Sequence, residues 1–383
     1  IIDEEHEGAY KSETAPRYDA REVAKVRADM SRAAVVLGSA TPSVESYYLA
    51  EQGEYKLLTL TKRAKENSRL AGVHIVDLRE ELAEGNRSIF SRRLKGLIED
   101  RLANRQQVML FMNRRGYAGF VSCRSCGKSI RCPHCDVTLS LHKDGSLRCH
   151  YCGYRIPMPK NCPSCGSPYI SGFRAGTQQI EREVHRLFPQ ARVLRMDYDT
   201  TRTRESYEQI LSAFGNGQAD ILVGTQMIVK GHDFPDVTLV GIVAADISLY
   251  ASDYRAAERT FQLLTQAVGR AGRGSKAGEA VIQTYMPEHY SIQTAAKQDY
   301  DAFYEQEILY RELMGYPPVD EMLGIYLSGK DLEKLESCAE QLAEWIRNAH
   351  VEGLCLIGPA DAAQIIVPFV VGCLLHSFKI PVG

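Results

Sequence analysis

Short apolar runs alternate with helical periods along most of the chain. The runs that predict buried strands are residues 33–37, 108–112, 193–196, 221–223, 238–243 and 280–284. Thr177 is expected to cap a helix that precedes the third run. The apolar positions that recur at helical spacing are Ile180, Val184, Leu187 and Phe188 in this helix, and Tyr207, Ile210, Leu211 and Phe214 in the next. Strands and helices in this order predict an α/β fold, with a parallel sheet covered on both faces.

The pattern changes after Pro287, where apolar runs no longer alternate regularly with helices. Apolar side chains at helical spacing then mark one long helix, with Leu332, Leu335, Ala339, Leu342 and Ile346 on a single face. This change predicts a separate α+β domain at the C-terminus. The 383-residue length is also typical of two to three domains.

Composition and charge narrow the class of protein. The chain is 44% hydrophobic and 25% charged, with a net charge of −2, which is typical of a soluble globular protein. No overall positive charge attracts nucleic acid, so a nucleic-acid role must rest on local patches. The sequence begins without a signal peptide or an initiator Met, and its longest apolar run contains Pro368 and Gly372. We therefore expect a cytoplasmic protein, no membrane contact, and a fragment of a longer chain.

Eight of the 11 cysteines form four consecutive Cys-x-x-Cys pairs. The pairs are Cys123/Cys126, Cys132/Cys135, Cys149/Cys152 and Cys162/Cys165. Two such pairs complete one tetrahedral Cys₄ zinc site, so eight ligands predict two Zn²⁺ ions per chain. The separation between the second and third pairs suits a small ribbon, which favours a nested arrangement over a sequential one. In the nested arrangement the two middle pairs share one zinc and the two outer pairs share the other.

The two zincs are expected to be structural, because eight thiolates leave no ligand position open for water. His134, His142 and His150 are alternative ligands, but with eight cysteines available they are expected at the surface. The three remaining cysteines are predicted to pack as small hydrophobic residues; they are Cys338, Cys355 and Cys373.

Three further segments have the residue types of a nucleotide site. Asp3 and Glu4 follow an apolar strand end, as in a Walker B element that holds Mg²⁺ and polarises water. Gly38 opens a run of small residues that would let the backbone turn closely beside phosphates. Arg270 and Arg273 are expected on one face of a helix, where two guanidinium groups can clamp a phosphate.

Taken in order, these segments match motifs II, III, V and VI of a superfamily 2 helicase. The matching runs are Asp-Glu-Glu-His at 3–6, Gly-Ser-Ala-Thr-Pro-Ser at 38–43, Asn-Arg-Arg-Gly-Tyr at 113–117, Lys-Gly-His-Asp-Phe-Pro-Asp at 230–236 and Gln-Ala-Val-Gly-Arg-Ala-Gly-Arg at 266–273. Over about residues 1–360 the chain resembles the PriA (primosomal protein N′) family of bacterial replication-restart helicases. A paired-zinc insert inside a helicase lobe is highly specific to that family.

The resemblance implies an ATP-driven 3′→5′ DNA helicase with Mg²⁺, ATP and two Zn²⁺. It would recognise stalled or abandoned replication forks and initiate primosome assembly. Its partners would be forked and single-stranded DNA, primosome proteins and single-stranded-DNA-binding protein, and it would act as a monomer. The resemblance also divides the chain into the end of a first RecA-like lobe (1–65), a complete second lobe (66–120 and 170–290), the inserted zinc module (121–169) and a C-terminal domain (291–383).

Site residues carry over from the family motif by motif. Asp3 and Glu4 would serve Mg²⁺ and water activation, and Arg270 and Arg273 would contact phosphates across the cleft. Residues implied to line the nucleotide cleft are Gly38, Gln266, Gly231 and Asp233. Residues implied to contact DNA are Thr225 and an aromatic-rich loop with Tyr10, Lys11, Arg17 and Tyr18. The alternative role for Tyr10 and Tyr18 is plain packing.

The sequence departs from the family at two places. No Gly-x-x-x-x-Gly-Lys-Ser/Thr loop occurs anywhere in it, so the chain alone is expected to be inactive as an ATPase. After residue 360 the family continues with basic strands, whereas no Lys, Arg, Asp or Glu occurs between Gln364 and Lys379. We therefore expect a truncated or aberrant C-terminal domain beyond about residue 360.

Two other functions remain open at this point. One is a non-enzymatic, zinc-stapled module that binds single-stranded DNA or a primosome protein without ATP. The other is a different superfamily 2 enzyme, such as a remodelling translocase, which the eight-Cys insert disfavours.

Overall fold

The computed structural model describes most of the chain. The described residues are 1–12, 15–61, 71–112, 120–142, 144–172, 176–229, 234–272, 274, 276–329, 331–361 and 369–377, with residues 361 and 369–377 described by their backbone alone.

The first 61 residues contain a small two-stranded parallel sheet and two helices. The elements are β1 (Ile2–Asp3), α1 (Ala20–Ser31), β2 (Leu37–Gly38) and α2 (Val44–Glu51). Asp3 pairs with Gly38, so the ends of the two strands lie side by side. The predicted strand at 33–37 is thus shorter and shifted, because only its last residue pairs with β1. Ser43 caps α2, and its hydroxyl accepts a hydrogen bond from the Ser46 amide.

A six-stranded, wholly parallel sheet forms the centre of the molecule. Its elements before the zinc module are β3 (Gly72–Asp77), α3 (Leu78–Ala83), α4 (Arg92–Ala103) and β4 (Gln107–Phe111). The cysteine-rich module follows, with β5 (Val121–Cys123), β6 (Ser140–Leu141), β7 (Ser146–Arg148), β8 (Arg155–Pro157) and β9 (Ile170–Gly172). After the module come α5 (Thr177–Leu187), β10 (Val193–Met196), α6 (Arg204–Gly215), β11 (Ile221–Gly224), β12 (Val237–Ile242), α7 (Asp246–Leu249), α8 (Ala256–Val268) and β13 (Glu279–Thr284).

The central sheet has the strand order β10-β11-β4-β12-β13-β3. Every residue of β4, β11 and β12 is buried, as expected for parallel strands covered on both faces. Their apolar side chains, together with those of the covering helices, form the largest core of the molecule. The α/β prediction is therefore confirmed. Thr177, however, is the first residue of α5 and not its cap; Gly176 occupies the cap position, and the Thr177 hydroxyl donates to Asp197 at 2.5 Å.

The zinc module is a separate small body with its own core. β5 and β9 pair antiparallel at its base, and β6, β7 and β8 form a three-stranded meander. Leu139 and Leu147 are fully buried among the cysteines. Because β5 and β9 are the first and last strands of the module, the chain leaves the central lobe and returns to it at neighbouring points.

The C-terminal part contains two helices followed by an α+β unit. The elements are α9 (Tyr290–Lys297), α10 (Tyr300–Met314), β14 (Glu321–Gly329), α11 (Leu332–Asn348), β15 (Leu354–Asp361) and β16 (Phe369–Ser377). The two helices α9 and α10 pack on α8 of the central lobe. The antiparallel sheet begins at Glu321, and the domain boundary at residue 291 stays a prediction.

The α+β unit has the strand order β14-β16-β15, with α11 packed against all three strands. Its last strand lies within the segment that departs from the family, yet it pairs along its whole length with β14 and, with one register shift, along part of its length with β15. Cys338 and Cys355 are exposed, contrary to the prediction. For Cys338 the reason is that the buried face of α11 is formed by other residues, among them Leu335, Ala339 and Ala343. The side chain of Cys373 lies outside the described residues. Among those that are described, no helix combines the length and apolarity needed to cross a membrane.

Candidate nucleotide cleft and metal centres

The acidic run follows the end of β1. Asp3 ends the strand, and a Cβ atom placed on Gly38 would lie 3.9 Å from the Asp3 carboxylate. Gly38 is therefore the point where the small-residue run approaches the Asp3 side chain. Tyr10 closes the same turn, because its hydroxyl donates to the Asp3 carbonyl oxygen at 2.7 Å.

Glu4 has an unusual backbone conformation. Its φ of 48° lies in the left-handed region, which costs a residue with a Cβ free energy unless its surroundings hold it there. The Glu4 amide donates to the Asp3 carboxylate at 3.0 Å, which helps to fix this turn. Glu4 Oε2 is buried without a hydrogen-bond partner in the described part of the chain. This oxygen lies 3.6 Å from His6 Nδ1, and a carboxylate oxygen without a hydrogen bond is suited to accept one from a bound water.

His6 connects three of the helicase motifs. One of its ring nitrogens lies 2.7 Å from Ser39 Oγ, in the run that follows β2. The other lies 3.1 Å from Gln266 Nε2, near the end of α8 in the central lobe. The structure thus joins the acidic run, the small-residue run and the glycine-arginine run in one chain of polar contacts.

Glu5 was not singled out from the sequence, yet it organises the same region. It is 1% exposed and its carboxylate accepts hydrogen bonds from the Ser43 amide at 2.6 Å and the Ser46 hydroxyl at 3.0 Å. Arg21 also donates to the Glu5 carbonyl oxygen at 3.0 Å. The fully buried Glu5 therefore fixes the start of α2 against the acidic run. Its place between Glu4 and His6 in a motif was the available sequence signal.

The glycine-arginine run does not continue the helix, contrary to the sequence expectation. Helix α8 ends at Val268, with Gly269 as its cap, and Gly272 has a φ of 72° that favours glycine. Arg270 therefore lies in the turn beyond the helix, one residue past the cap and four past Gln266. Arg273 lies outside the described residues. So do Gly231, Asp233 and the run at 113–117.

The predicted DNA-contacting residues lie at two separate places. Lys11 and Asp19 form an isolated antiparallel bridge that closes a loop, in which Arg17 and Tyr18 are exposed. Burial is the largest cause of the lowered pKa of Lys11, and the charge of Arg255 lowers it further. Thr225 lies at the end of β11, where it is 9% exposed and its amide donates to the Met196 carbonyl oxygen at 3.3 Å.

The eight paired cysteines come together in two groups. One group contains Cys123, Cys126, Cys162 and Cys165, and the other contains Cys132, Cys135, Cys149 and Cys152. Within each group all sulfur atoms lie within 4.8 Å of one another. This is the nested arrangement that the spacing predicts, and neither group includes a histidine. Four convergent sulfurs fit a tetrahedral Zn²⁺ and leave no ligand position for a reacting water.

All four Cys-x-x-Cys turns share one backbone design. The residue after the second cysteine has a positive φ in each of them, and its amide donates to the carbonyl of the first cysteine at 2.8–3.0 Å. These residues are Gly127, Asp136, Gly153 and Gly166. Because glycine adopts a positive φ without strain, a glycine directly after a Cys-x-x-Cys pair is the sequence signal for this turn.

The inner group has one acidic thiol. A hydrogen bond from the Cys135 thiol is the largest cause that lowers the pKa of Cys149, to about 5. The same interaction raises the pKa of Cys135, with burial acting in the same direction. Metals bind thiolates, so this hydrogen bond favours the form of Cys149 that a metal ligand requires.

Comparison with protein families agrees with both parts of the structure. Residues 132–157 match the family described as the PriA DNA helicase Cys-rich region (CRR) domain, and residues 171–275 match the helicase conserved C-terminal domain. Similar proteins include the replication restart protein PriA of Bacillus subtilis, 48% identical over 94% of this chain and 45% of that protein. The protein of the same name from Synechocystis is 43% identical over 95% of this chain and 45% of its own length. That from Chlamydia muridarum is 44% identical over 91% and 47%.

The chain belongs to the PriA family. It spans about half the length of the curated relatives that it matches. The helicase C-terminal lobe and the two Cys₄ groups of the Cys-rich module are the parts of the family that the described residues contain.

Proposed function

We propose that the chain is the central part of an ATP-dependent 3′→5′ DNA helicase that recognises stalled forks and initiates primosome assembly. The observation that carries the proposal is the contact of His6 with both Ser39 and Gln266, because it joins the acidic run to the central lobe. A nucleotide bound between the acidic run and the glycine-arginine run would change the contacts between the two lobes. The partners proposed are forked and single-stranded DNA, primosome proteins and single-stranded-DNA-binding protein, for a cytoplasmic monomer.

The chemistry proposed for the cleft follows from its own residues. Mg²⁺ bound with ATP would supply charge neutralisation of the phosphates. Asp3, at the end of β1, would hold that ion directly or through water. Glu4 would orient the attacking water with Oε2, the buried oxygen that has no hydrogen-bond partner among the described residues. Arg270 would stabilise the charge that develops on the transferred phosphate.

The roles proposed for the DNA-contacting residues rest on exposure and charge. Arg17 and Tyr18 combine a guanidinium group with an accessible ring, which suits stacking of unpaired bases. Tyr10 directly precedes this loop and ties it to the acidic run, because its hydroxyl donates a hydrogen bond to the Asp3 carbonyl oxygen. The loop would thereby connect bound DNA to the acidic run.

The test uses the full-length protein with Arg270→Ala. ATP hydrolysis on forked DNA should fall below detection, while the affinity for the fork changes by no more than about 2-fold, because one phosphate contact is lost and the DNA surface is kept. Arg204→Ala is the control, because its side chain on α6 is 90% exposed. Equal loss of hydrolysis and DNA binding would assign Arg270 a structural role. An unaltered protein that binds forks without hydrolysing ATP would favour the zinc-stapled binding module.

The 383-residue chain by itself is expected to show no ATP turnover. Its sequence contains no Gly-x-x-x-x-Gly-Lys-Ser/Thr loop to hold the β- and γ-phosphates. A coupled ATPase assay with fork DNA measures this, and clear turnover would contradict the expectation.

A further inference from the structure

One short segment contacts the zinc module and the first lobe at once. Residues 250–255, which we call the connector, join α7 to α8. On the module side, the Tyr250 hydroxyl donates to the Gly127 carbonyl oxygen at 2.5 Å and the Ser252 hydroxyl donates to the Thr138 carbonyl oxygen at 2.6 Å. These two hydrogen bonds hold the connector against the module.

The other end of the connector reaches the first lobe. Arg255 donates twice to one carboxylate oxygen of Glu45, in the first turn of α2, at 2.6 and 3.0 Å. The fully buried Arg311 lies 3.7 Å from the same oxygen and donates to Glu258 at 2.6 Å. Glu258 in turn accepts from the Val44 amide of α2 at 2.9 Å. The start of α2 is therefore held by a network of charges that belongs to the central lobe.

Tyr254 links the charged end of the connector to a metal-ligand turn. The guanidinium carbons of Arg255 and Arg311 lie 4.9 and 5.2 Å from the centre of its ring, as in cation–π contacts. The same ring stacks on Tyr316 with the ring centres 4.9 Å apart. The Tyr316 hydroxyl donates to the carbonyl oxygen of Cys135 at 2.6 Å, in a buried contact.

Helix α8 extends this path to the nucleotide cleft. Arg255 is its N-terminal cap residue, whereas Gln266, which contacts His6, lies near its other end. A shift of the first lobe against α8 would move both contacts together, since a helix behaves as a rigid rod over three turns. A cavity of about 280 Å³ lies beside the connector, lined on the module side by Arg131 and Asp136. It leaves room for the connector to take a second position.

We propose that the connector transmits the closing of the two lobes on nucleotide to the zinc module, and so sets the position of the module against DNA. This inference rests on the proposed helicase function. Separation of the Glu45 carboxylate from Arg255 changes the position of the guanidinium group that packs on the Tyr254 ring. That ring stacks on Tyr316, which is hydrogen-bonded to the metal-ligand turn. Coupling of this kind requires two arrangements of one packed element, and the connector is that element.

The test compares three single variants of the full-length protein: Glu45→Gln, Ser252→Ala and Tyr316→Phe. Each removes one charge or one hydroxyl and keeps the shape of the side chain nearly unchanged. Fork unwinding should fall by about 3- to 10-fold, the value of one hydrogen bond, while DNA-stimulated ATP hydrolysis stays within about 2-fold. Tyr326→Phe and Glu333→Gln are matched controls, because Tyr326 is 61% exposed and Glu333 is exposed on α11.

Hydrogen exchange distinguishes coupling through the connector from a purely structural role of its contacts. A non-hydrolysable ATP analogue should change the protection of amides at 123–138 in the unaltered protein, and Glu45→Gln should abolish that change. The pair Glu45→Gln/Tyr316→Phe should unwind no more slowly than the worse single variant, because both act on one path. Unaltered nucleotide-dependent protection in Glu45→Gln, additive losses, or a proportional fall of hydrolysis and unwinding would each overturn the proposal. Absence of ATPase activity from the unaltered protein would instead overturn the helicase function, and the exchange experiment would still decide the coupling.

Discussion

His6 lies between Ser39 and Gln266, with one ring nitrogen 2.7 Å from the hydroxyl and the other 3.1 Å from the side-chain amide. One ring nitrogen connects the acidic run to the segment after β2, and the other connects it to α8. Its two partners lie in the predicted first and second lobes, so this contact depends on how those two parts of the chain are placed.

Replacement of this ring should uncouple the lobes. His6→Ala in the full-length protein is expected to lower DNA-stimulated ATP hydrolysis by about 10-fold, because the change removes a polar contact from Ser39 and another from Gln266. Steady-state hydrolysis on fork DNA measures the effect. His185→Ala, at an exposed position on α5, is the control. If His6→Ala and Gln266→Ala reduce the rate additively in the double variant, the bridge is not the common cause.

Metal analysis can distinguish nested from sequential zinc sites. The chain should contain two zincs, and Cys123→Ser/Cys162→Ser should retain one, since both cysteines belong to the outer group. Cys123→Ser/Cys132→Ser should retain none, because it damages both groups. Sequential pairing predicts the reverse for the two double variants.

A matched single change provides the control for this experiment. Cys338→Ser should keep both zincs, because Cys338 is exposed on α11 and belongs to neither group. A metal content near zero or one in the unaltered chain would contradict the two-zinc arrangement itself.

Two glycines with the same backbone conformation should respond differently to alanine. Gly127 and Gly145 have φ values of 74° and 76°, so Ala at either position costs about 1–2 kcal/mol of stability. A Cβ at Gly127 would also lie 2.0 Å from the Tyr285 carbonyl oxygen, whereas Gly145 has nothing within 4 Å. Gly127→Ala should therefore destabilise the chain by about 3 kcal/mol or more.

Thermal unfolding measures this difference between the two glycine variants. A lower melting temperature for Gly127→Ala than for Gly145→Ala would show that the first metal-ligand turn is pressed against the central lobe. Equal melting temperatures would contradict a close contact between Gly127 and the Tyr285 carbonyl oxygen.

His289 should make stability depend on pH. Burial, and secondarily the charge of Arg131, lowers the pKa of His289 to about 4, against 6.5 in the unfolded chain. Between these values the unfolded state binds more protons, so the free energy of unfolding rises with pH across this window. The unaltered chain should therefore be about 2 kcal/mol less stable at pH 5 than at pH 7.5 through this group.

His289→Asn removes the titration and keeps a side-chain hydrogen-bond acceptor at the N-cap of α9, with an amide oxygen in place of the ring nitrogen. Melting temperatures of both proteins at pH 5, 6 and 7.5 give the comparison. The melting temperature of the unaltered protein relative to that of His289→Asn should rise with the pH. Parallel pH profiles would contradict the assigned pKa. Because both proteins contain the same cysteines, acid release of metal does not produce this difference.

The sheet and the metal groups could be predicted from the sequence because each depends on a local pattern. The run at 221–223 is apolar without interruption, and a buried parallel strand requires that. The cysteine pairs carry their own ligand geometry in their spacing. By contrast, the helix expected through Arg270 and Arg273 ends at Val268, with Gly269 as its cap, because glycine is unfavourable in the interior of a helix.

The contacts between distant segments were beyond the reach of the sequence. Glu5 looks like one acid among three, and nothing local shows that Ser43 and Ser46 satisfy it. Arg255 and Arg311 look like solvated helix charges, although one of them is fully buried. Such residues are selected by tertiary neighbours, so periodicity and spacing contain no signal for them.

The pairing of β5 with β9 at the base of the zinc module has a consequence for how such a protein can be altered. The outer four cysteines belong to the first and last turns of the module, so its two ends are held together by metal as well as by backbone. The whole insertion therefore leaves and rejoins the central lobe at neighbouring points, as a single hairpin would. The module could therefore be enlarged, trimmed or exchanged between relatives without the parallel strands changing register. The residues that would need to adapt are those that contact it, which include the connector, Tyr285 and Tyr316.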